Sequence, residues 1–144
     1  MSRLAILVVL AIAVVAILIM PPIIRTDTKS VGISGWGTNP EFGRSIAGFK
    51  EGLAENGFVE GENIRFILKN SETDTVIQRQ IIESFAKEEV DLIFSLTTPG
   101  TLIAKEVTDT IPIVFSVVTY PVEAGVIHSL DSSAASHGER SEGW

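Results

Sequence analysis

Short apolar runs alternate with helically spaced apolar residues along most of the chain, beginning after a polar stretch at residues 25–30. A short apolar run is typical of a buried strand, whereas apolar residues that recur every three or four positions indicate a helix with one buried face. The predicted strands lie at residues 31–36, 62–70, 91–96 and 111–118. Helices are predicted after the first three strands, ending near residues 56, 87 and 108, and a fourth is predicted to begin at Tyr120.

Capping residues mark the ends of these helices. Asn39 and Pro40 are typical of a helix start, and Gly57 is typical of the residue that follows a helix end. Thr73 or Asp74 caps the second helix. The predicted buried stripes are Phe42, Ile46, Phe49 and Leu53 in the first helix, and Ile77, Ile81 and Phe85 in the second.

The strict alternation of strand and helix predicts the fold class. Strands joined by helices form parallel sheets with helices on both faces. The third and fourth strands are nearly continuous in apolar residues, as expected of strands covered on both faces. We therefore predict an α/β lobe at residues 31–130, with a three-layer doubly wound parallel sheet. The Ser- and Gly-rich residues 131–144 lose this periodicity and are predicted to be a disordered tail.

The N-terminus has a different character. Residues 4–20 are uninterrupted apolar and follow Arg3, which is the arrangement of an export signal or a transmembrane anchor. Residues 1–24 are therefore predicted to be a signal-anchor or a signal peptide, with 25–30 as a linker. The uncleaved anchor is favoured because no small-residue cleavage site follows the run. The remainder of the chain is then predicted to be extracytoplasmic.

Composition narrows the function classes. The chain has no cysteine, so it has neither disulfides nor a zinc–thiolate site. Its formal net charge of −7 opposes nucleic-acid binding, which requires a basic surface. We predict no metal site and no cofactor. No nucleophile, acid and base are placed together, so the sequence does not predict an enzyme.

The candidate chemistry lies where the strands end, because ligands of open α/β sheets bind at the carboxyl ends of the strands. Thr98 is predicted to cap the third helix, and Pro99 fits its first turn, which leaves backbone amides that can bind an anion. The alternative is an ordinary capping pair, and Trp36 can likewise be a stacking platform or a packing residue. The predicted ligand-binding residues are Trp36, Gly37, Thr38, Asn70, Thr97, Thr98, Thr119 and Tyr120.

Three functional motifs that occur in other α/β proteins do not match this sequence. The glycines at residues 32, 35 and 37 form G-x-x-G-x-G rather than the G-x-G-x-x-G of a dinucleotide site. A phospho-receiver domain needs an aspartate at the end of the third strand, where this chain has Leu96 and Thr97. Ser34 lies in G-I-S-G-W, which differs from a G-x-S-x-G nucleophile elbow.

Three motifs in residues 30–131 resemble the ABC-transporter substrate-binding proteins of the tryptophan/tyrosine-type family. A pattern L-x-x-x-G-[FY]-x-x-G-x-N is matched by Leu53, Gly57, Phe58, Gly61 and Asn63. A second, around T-P and I-P-I-V-F, is matched by Thr98, Pro99, Ala104, Thr108, Ile111, Pro112, Ile113, Val114 and Phe115. A third, D-P-V-x-A-G-L-V-x-S-L, is matched by Pro121, Val122, Ala124, Gly125, Val126, Ser129 and Leu130.

The resemblance implies one lobe of a periplasmic-binding-protein-like fold, whose two lobes close on a ligand. Such proteins bind a small organic solute, often an aromatic amino acid, and deliver it to an ABC permease in the membrane. Tyr120 stands where the family has aspartate, and the chain stops where the family continues into a second lobe, so we expect a truncated form. The alternatives are a membrane-anchored sensor or interaction domain of the same fold and a non-functional truncated product.

Overall fold

Strands and helices alternate without exception through residues 28–130, the part of the chain that our computed structural model describes. The strands are β1 (Lys29–Gly35), β2 (Ile64–Asn70), β3 (Leu92–Leu96) and β4 (Ile113–Ser116). The helices are α1 (Pro40–Glu55), α2 (Thr75–Lys87) and α3 (Thr98–Val107). The predicted strands and the first three predicted helices are confirmed, with boundaries shifted by a few residues.

The four strands within residues 28–130 form one parallel sheet in the order β2-β1-β3-β4. The chain moves from β1 to one side to form β2, and then crosses back over β1 to form β3. This reversal places α1 on one face of the sheet and α2 and α3 on the other, as the predicted three-layer doubly wound fold requires. The reversal point lies between β1 and β3, which is where ligands bind in folds of this class.

The α1 face has an aromatic core. Phe49 of α1 stacks on Phe94 of β3, with ring centroids 4.1 Å apart and planes inclined by 3°, and it meets Phe66 of β2 edge-on at 6.5 Å. Offset and edge-on ring contacts stabilise a core beyond the area that they bury. The predicted stripe of α1 is confirmed in position, since all of its members pack on this cluster, but each is only partly buried, namely Phe42, Ile46, Phe49 and Leu53.

The opposite face packs α2 and α3 on the sheet around Phe85, which is fully buried together with Ile82 and Ile93. The predicted stripe of α2 is confirmed for Ile81 and Phe85 but wrong for Ile77, which is 43% exposed. Each step of four residues turns about 40° beyond a full helical turn, so two steps carry Ile77 out of the contact. Its place is taken by Gln78, which is fully buried.

Both edges of the sheet are open. Leu68 of β2 is 59% exposed, and Val114 of β4 is 41% exposed, although β4 was predicted to be covered on both faces. Each strand has a neighbour on one side only within residues 28–130, so side chains at these edges are covered less than those of β1 and β3.

The predicted fourth helix is wrong. Residues 120–126 form a compact turn, in which the amide of Ala124 donates to the carbonyl of Tyr120 at 2.9 Å and Gly125 has a φ of 73°. A left-handed glycine ends a helical turn, which explains why the segment does not continue as a helix. Within residues 28–130 no helix combines the length and apolarity needed to cross a bilayer. The predicted signal-anchor and the predicted tail both lie outside the described residues.

Candidate functional site

The loops after β1, β2, β3 and β4 lie at one edge of the sheet, and this edge concentrates unusual backbone. Of the six non-glycine residues with positive φ in residues 28–130, five follow the carboxyl end of a strand and one, Glu89, does not. Such conformations cluster at functional sites because the surrounding structure must hold them. The five residues are Glu72, Thr73, Thr97, Val117 and Tyr120.

The start of α3 differs from the other helix starts at this edge because no side chain caps it. Asn39 caps α1 by accepting from the amide of Glu41 at 2.9 Å, and Asp74 caps α2 by accepting from the amide of Val76 at 2.7 Å. At α3 the capping position is Thr97, whose side chain makes no capping hydrogen bond. Among the three helices in residues 28–130, α3 is thus the one whose first amides no side chain satisfies.

This arrangement corrects the predicted role of Thr98. Thr98 is the first residue of α3 rather than its cap, because Thr97 already has the non-helical backbone of a cap residue, with φ 68° and ψ 161°. The first three positions of a helix have no intrahelical acceptor for their amides. Since Pro99 has no N–H, the two amides left at this start are those of Thr98 and Gly100.

Hydrogen bonds tie the loop after β3 to the loop after β4. The amide of Thr97 donates to the carbonyl of Ser116 at 3.0 Å, and the amide of Thr119 donates to Oγ1 of Thr98 at 3.3 Å. Ser45 of α1 reaches the same strand end through a 2.7 Å bond to Oγ of Ser116. Three predicted site residues, Thr97, Thr98 and Thr119, are therefore brought together.

A second group of predicted residues lies around a surface cavity of about 250 Å³ on the α1 side. Gly37, Thr38 and Asn70 line it, and the exposed Leu68 supplies part of its apolar wall. Strands in a sheet are about 4.8 Å apart, so Asn70 at the end of β2 lies roughly 10 Å across the sheet from the end of β3. The side chain of Asn70 also donates to its own loop, to Oε1 of Glu72 at 2.8 Å.

The two predicted aromatic residues lie on the loops that flank the start of α3. Trp36, half-buried, follows β1, and its carbonyl accepts from the amide of Thr73 at 2.7 Å. Tyr120 follows β4 and is 72% exposed. Its loop is held by Lys105 of α3, whose Nζ donates to the carbonyls of Gly125 and Val126 at 2.7 and 2.9 Å.

A buried polar cluster beneath this edge was missed by sequence reasoning. Ser34 and Ser95 occupy paired positions on β1 and β3, and both are fully buried with Gln78. Nε2 of Gln78 donates to Oγ of Ser34, and Oγ1 of Thr101 donates to the carbonyl of Thr97 at 2.8 Å. The signal was present as a serine at the same depth in two apolar strands, but only the strand register shows that the two serines are neighbours.

The loops after β1 and β3 carry neutral polar groups, whereas the loop after β2 carries the carboxylates of Glu72 and Asp74. Residues 28–130 contain no group of three or more acidic, histidine or cysteine side chains placed to hold a metal ion. The one resolved pKa shift among these residues belongs to Asp91, at the opposite edge of the sheet. Hydrogen bonds from the backbone amide of Ser30 and from Lys29 lower the pKa of that carboxyl despite some desolvation. The candidate site therefore offers hydroxyls, free amides and aromatic surface, which suit binding.

Comparison with known proteins identifies the family of this chain. The family described as "ABC transporter substrate binding protein" matches residues 30–136, and the chain belongs to this family. A protein named "Tyrosine-binding protein" from Clostridioides difficile (strain R20291) is 34% identical over 110 residues, which are 74% of this chain and 32% of that protein.

Solved structures show the same fold. The ligand-free, open structure of a Clostridium difficile substrate-binding protein with adhesive properties superposes with a TM-score of 0.69 at 35% identity, covering 72% of this chain and 35% of that one. The ABC domain from Streptococcus pneumonia in complex with L-Trp superposes with a TM-score of 0.67 at 21% identity and the same coverage. The chain thus spans about a third of the length of these relatives.

Proposed function

We propose that residues 31–130 form the N-terminal lobe of an extracytoplasmic substrate-binding component of an ABC importer. In this proposal the ligand is a small organic solute with a carboxylate, of which an aromatic amino acid is the favoured example. Membership of the substrate-binding family and the 34% identity to a tyrosine-binding protein support this class of ligand.

The observation that carries the proposal is the uncapped start of α3. The amides of Thr98 and Gly100 have no intrahelical acceptor, and the positive end of the helix dipole lies beside them. A carboxylate at this position accepts both amides without a countercharge from a side chain. The starts of α1 and α2 are unsuited to this role because Asn39 and Asp74 already occupy them.

The loops on either side supply the remaining contacts. Because β3 lies between β1 and β4, the loops that carry Trp36 and Tyr120 border the start of α3 from opposite sides. Their aromatic surface suits a ligand ring, since offset aromatic contacts add to the gain from buried area. The hydroxyl of Thr98, which already accepts from Thr119, has its own proton to donate to the ligand.

The cavity lined by Gly37, Thr38 and Asn70 lies on the other side of β1 from the start of α3. In the proposal it holds the part of the ligand farthest from the carboxylate. The apolar segment at residues 4–24 serves as the membrane anchor, which keeps the lobe close to a permease partner. The ligand is transported rather than transformed, so no catalytic residue and no cofactor are assigned.

Binding is tested by titrating L-tyrosine and L-tryptophan into the full chain in mild detergent, followed by calorimetry and tryptophan fluorescence. The methyl esters of the same amino acids test the carboxylate, because an ester has lost the charge that the helix start recognises. We expect the acids to bind and the esters to bind about tenfold more weakly or worse, since a hydrogen bond to a charged group contributes about 1.5–3 kcal/mol. Equal affinity for acid and ester refutes the proposed carboxylate site.

A side-chain substitution gives the second test. Thr98→Val removes the hydroxyl at the start of α3, and we expect it to weaken amino-acid binding. Thr110→Val is the matched control, because Thr110 is exposed at the opposite edge of the sheet, before β4. Undiminished affinity in Thr98→Val, or an equal loss in Thr110→Val, contradicts the assignment.

A further inference from the structure

Gln78 is the side chain that the proposed site leaves unexplained. It lies on α2, within a stripe of otherwise apolar core residues, and it is fully buried. Glutamine is rarely buried to this extent, because its amide must then find partners inside the protein. Leucine has a similar size and would complete the hydrophobic core without that cost.

The amide of Gln78 lies directly against the loop that begins α3. A Cβ atom added at Gly100 would stand 3.0 Å from Nε2 of Gln78, 3.4 Å from Oγ of Ser95 and 3.5 Å from Oγ1 of Thr97. Gly100 therefore approaches Gln78 more closely than a residue with a side chain could without displacing a neighbour. The backbone at the start of α3 therefore packs directly against the side-chain amide of Gln78.

Two oxygen atoms in this region lack a partner. Oε1 of Gln78 and Oγ1 of Thr97 are buried, and neither has a hydrogen-bond partner among the described residues. Among the buried side-chain nitrogen and oxygen atoms of residues 28–130, they are the only two in this condition. A buried polar atom without a partner is costly and rare, so its presence requires an explanation. Both belong to groups that surround Gly100.

We propose that Gln78 is a positioning residue of the ligand site, an inference that rests on the proposed function. Its donor bond to Ser34 anchors it to β1, and its amide supports the backbone of Gly100, so that the α3 amides face the ligand. Its unpaired Oε1 is the acceptor that the hydroxyl of Thr97 reaches when the loop closes on a bound carboxylate. Ligand binding then satisfies both buried oxygens, and affinity depends on a side chain that the ligand never touches.

The test compares Gln78→Leu with Gln80→Leu in the full chain in mild detergent. Gln80 lies on the exposed side of α2, so the control makes the same substitution on the same helix away from the loop. We expect Gln78→Leu to weaken L-tyrosine and L-tryptophan binding about tenfold while its thermal midpoint stays within a few degrees of the wild type. Affinity equal to that of Gln80→Leu overturns the proposal. Gln78→Met provides the same comparison if Gln78→Leu does not fold.

A double-mutant cycle tests the coupling to Thr97. Thr97→Val alone should weaken binding, and Thr97→Val combined with Gln78→Leu should weaken it no further than the worse single variant, because both remove the same hydrogen bond. Losses that simply multiply overturn the coupling.

Hydrogen exchange tests the positioning role of Gln78 independently of the proposed function. If the wild-type chain binds neither amino acid, the proposed ligand class is wrong, but the loop can still be examined without ligand. In that case we expect faster exchange at the amide of Thr101, which donates to the carbonyl of Thr97, in Gln78→Leu than in Gln80→Leu. Equal exchange in the two variants refutes the positioning role itself.

Discussion

Gly32 is the position where a single methyl group should have the largest effect on the fold. It lies in the middle of β1, on the face that receives α2, and Phe85 covers it. An alanine Cβ at this position would stand 2.7 Å from both Cγ and Cδ2 of Phe85. Carbon atoms that are not bonded prefer about 3.5–4.0 Å, so the ring or the strand must move by roughly 1 Å.

The ring has little freedom to move. Phe85 is fully buried, Ile82 and Ile93 beside it are fully buried as well, and the ammonium of Lys69 lies 5.1 Å from its centroid. Adding a methylene-sized group to such a core costs about 1–3 kcal/mol. Alanine recovers about 0.5–1 kcal/mol because it is less flexible than glycine in a strand. The expected net loss for Gly32→Ala is therefore about 1–2 kcal/mol of unfolding free energy.

The assay is urea and thermal unfolding of the full chain in mild detergent, followed by far-ultraviolet circular dichroism. For a domain of about this size, the loss corresponds to a midpoint lowered by roughly 5–10 °C. Gly48→Ala is the matched control, because a Cβ there meets nothing within 4 Å and the residue is on the exposed side of α1. It should stabilise the helix by up to about 1 kcal/mol.

The critical result is that the two glycine variants change the free energy of unfolding in opposite directions. If Gly32→Ala is as stable as the wild type, or gains stability as Gly48→Ala does, the described packing of α2 on β1 is wrong. Phe85→Leu in the Gly32→Ala background should cost less than Phe85→Leu alone, because the smaller side chain relieves the clash. A cost that is the same in both backgrounds would also contradict the contact.

Three further predictions concern other contacts. The pKa of the Asp91 carboxyl is lowered, so its hydrogen bond from the amide of Ser30 should stabilise the fold above about pH 4 and lose this effect as the pH falls through the folded-state pKa. In acid titrations of unfolding free energy, Asp91→Asn should remove this part of the pH dependence. The same variant should cost no more than about 1 kcal/mol at pH 7. Lys105→Met should speed hydrogen exchange at the amide of Val126, because it removes the hydrogen bond from Lys105 to the carbonyl of Val126. That bond is partly exposed, so the free energy of unfolding should change by less than about 1 kcal/mol. Unchanged exchange would show that Lys105 does not hold the turn. Phe94→Leu should lower unfolding free energy by about 1–2 kcal/mol, because it removes the stacked ring contact in the α1 core, and a neutral result in urea unfolding would contradict the stacking.

The hydrophobic pattern predicted the elements well because each depends on local signals. Pro40 with Asn39 marks the start of α1, and both play the predicted roles. The segment from Tyr120 was misread because apolar residues at helical spacing do not show that Gly125 takes a left-handed conformation. Ile77 was wrongly predicted to be buried for a related reason. Its spacing from Phe85 fits the same side of the helix, but only the packing of the helix on the sheet decides how much of that side is buried.

The candidate site was predictable in position but not in detail. Since the carboxyl ends of parallel strands share one edge, the strand ends alone predicted that Thr97, Thr98 and Thr119 would meet, and hydrogen bonds connect them. The exchange of roles between Thr97 and Thr98 depends on the backbone angles of Thr97, which no pattern of residue types encodes. Whether these residues bind ligand remains a prediction.

The sequence by itself determined the alternation of strands and helices, the parallel sheet and the concentration of hydroxyl, amide and aromatic side chains in the strand-end loops. These follow from periodicity and residue type, which act over a few neighbouring positions. Only the tertiary structure decided the strand order, and with it the pairing of Ser34 with Ser95 and the burial of Gln78 beneath Gly100. Such contacts join residues far apart in the chain, and they arise from the packing of whole elements rather than from any local preference.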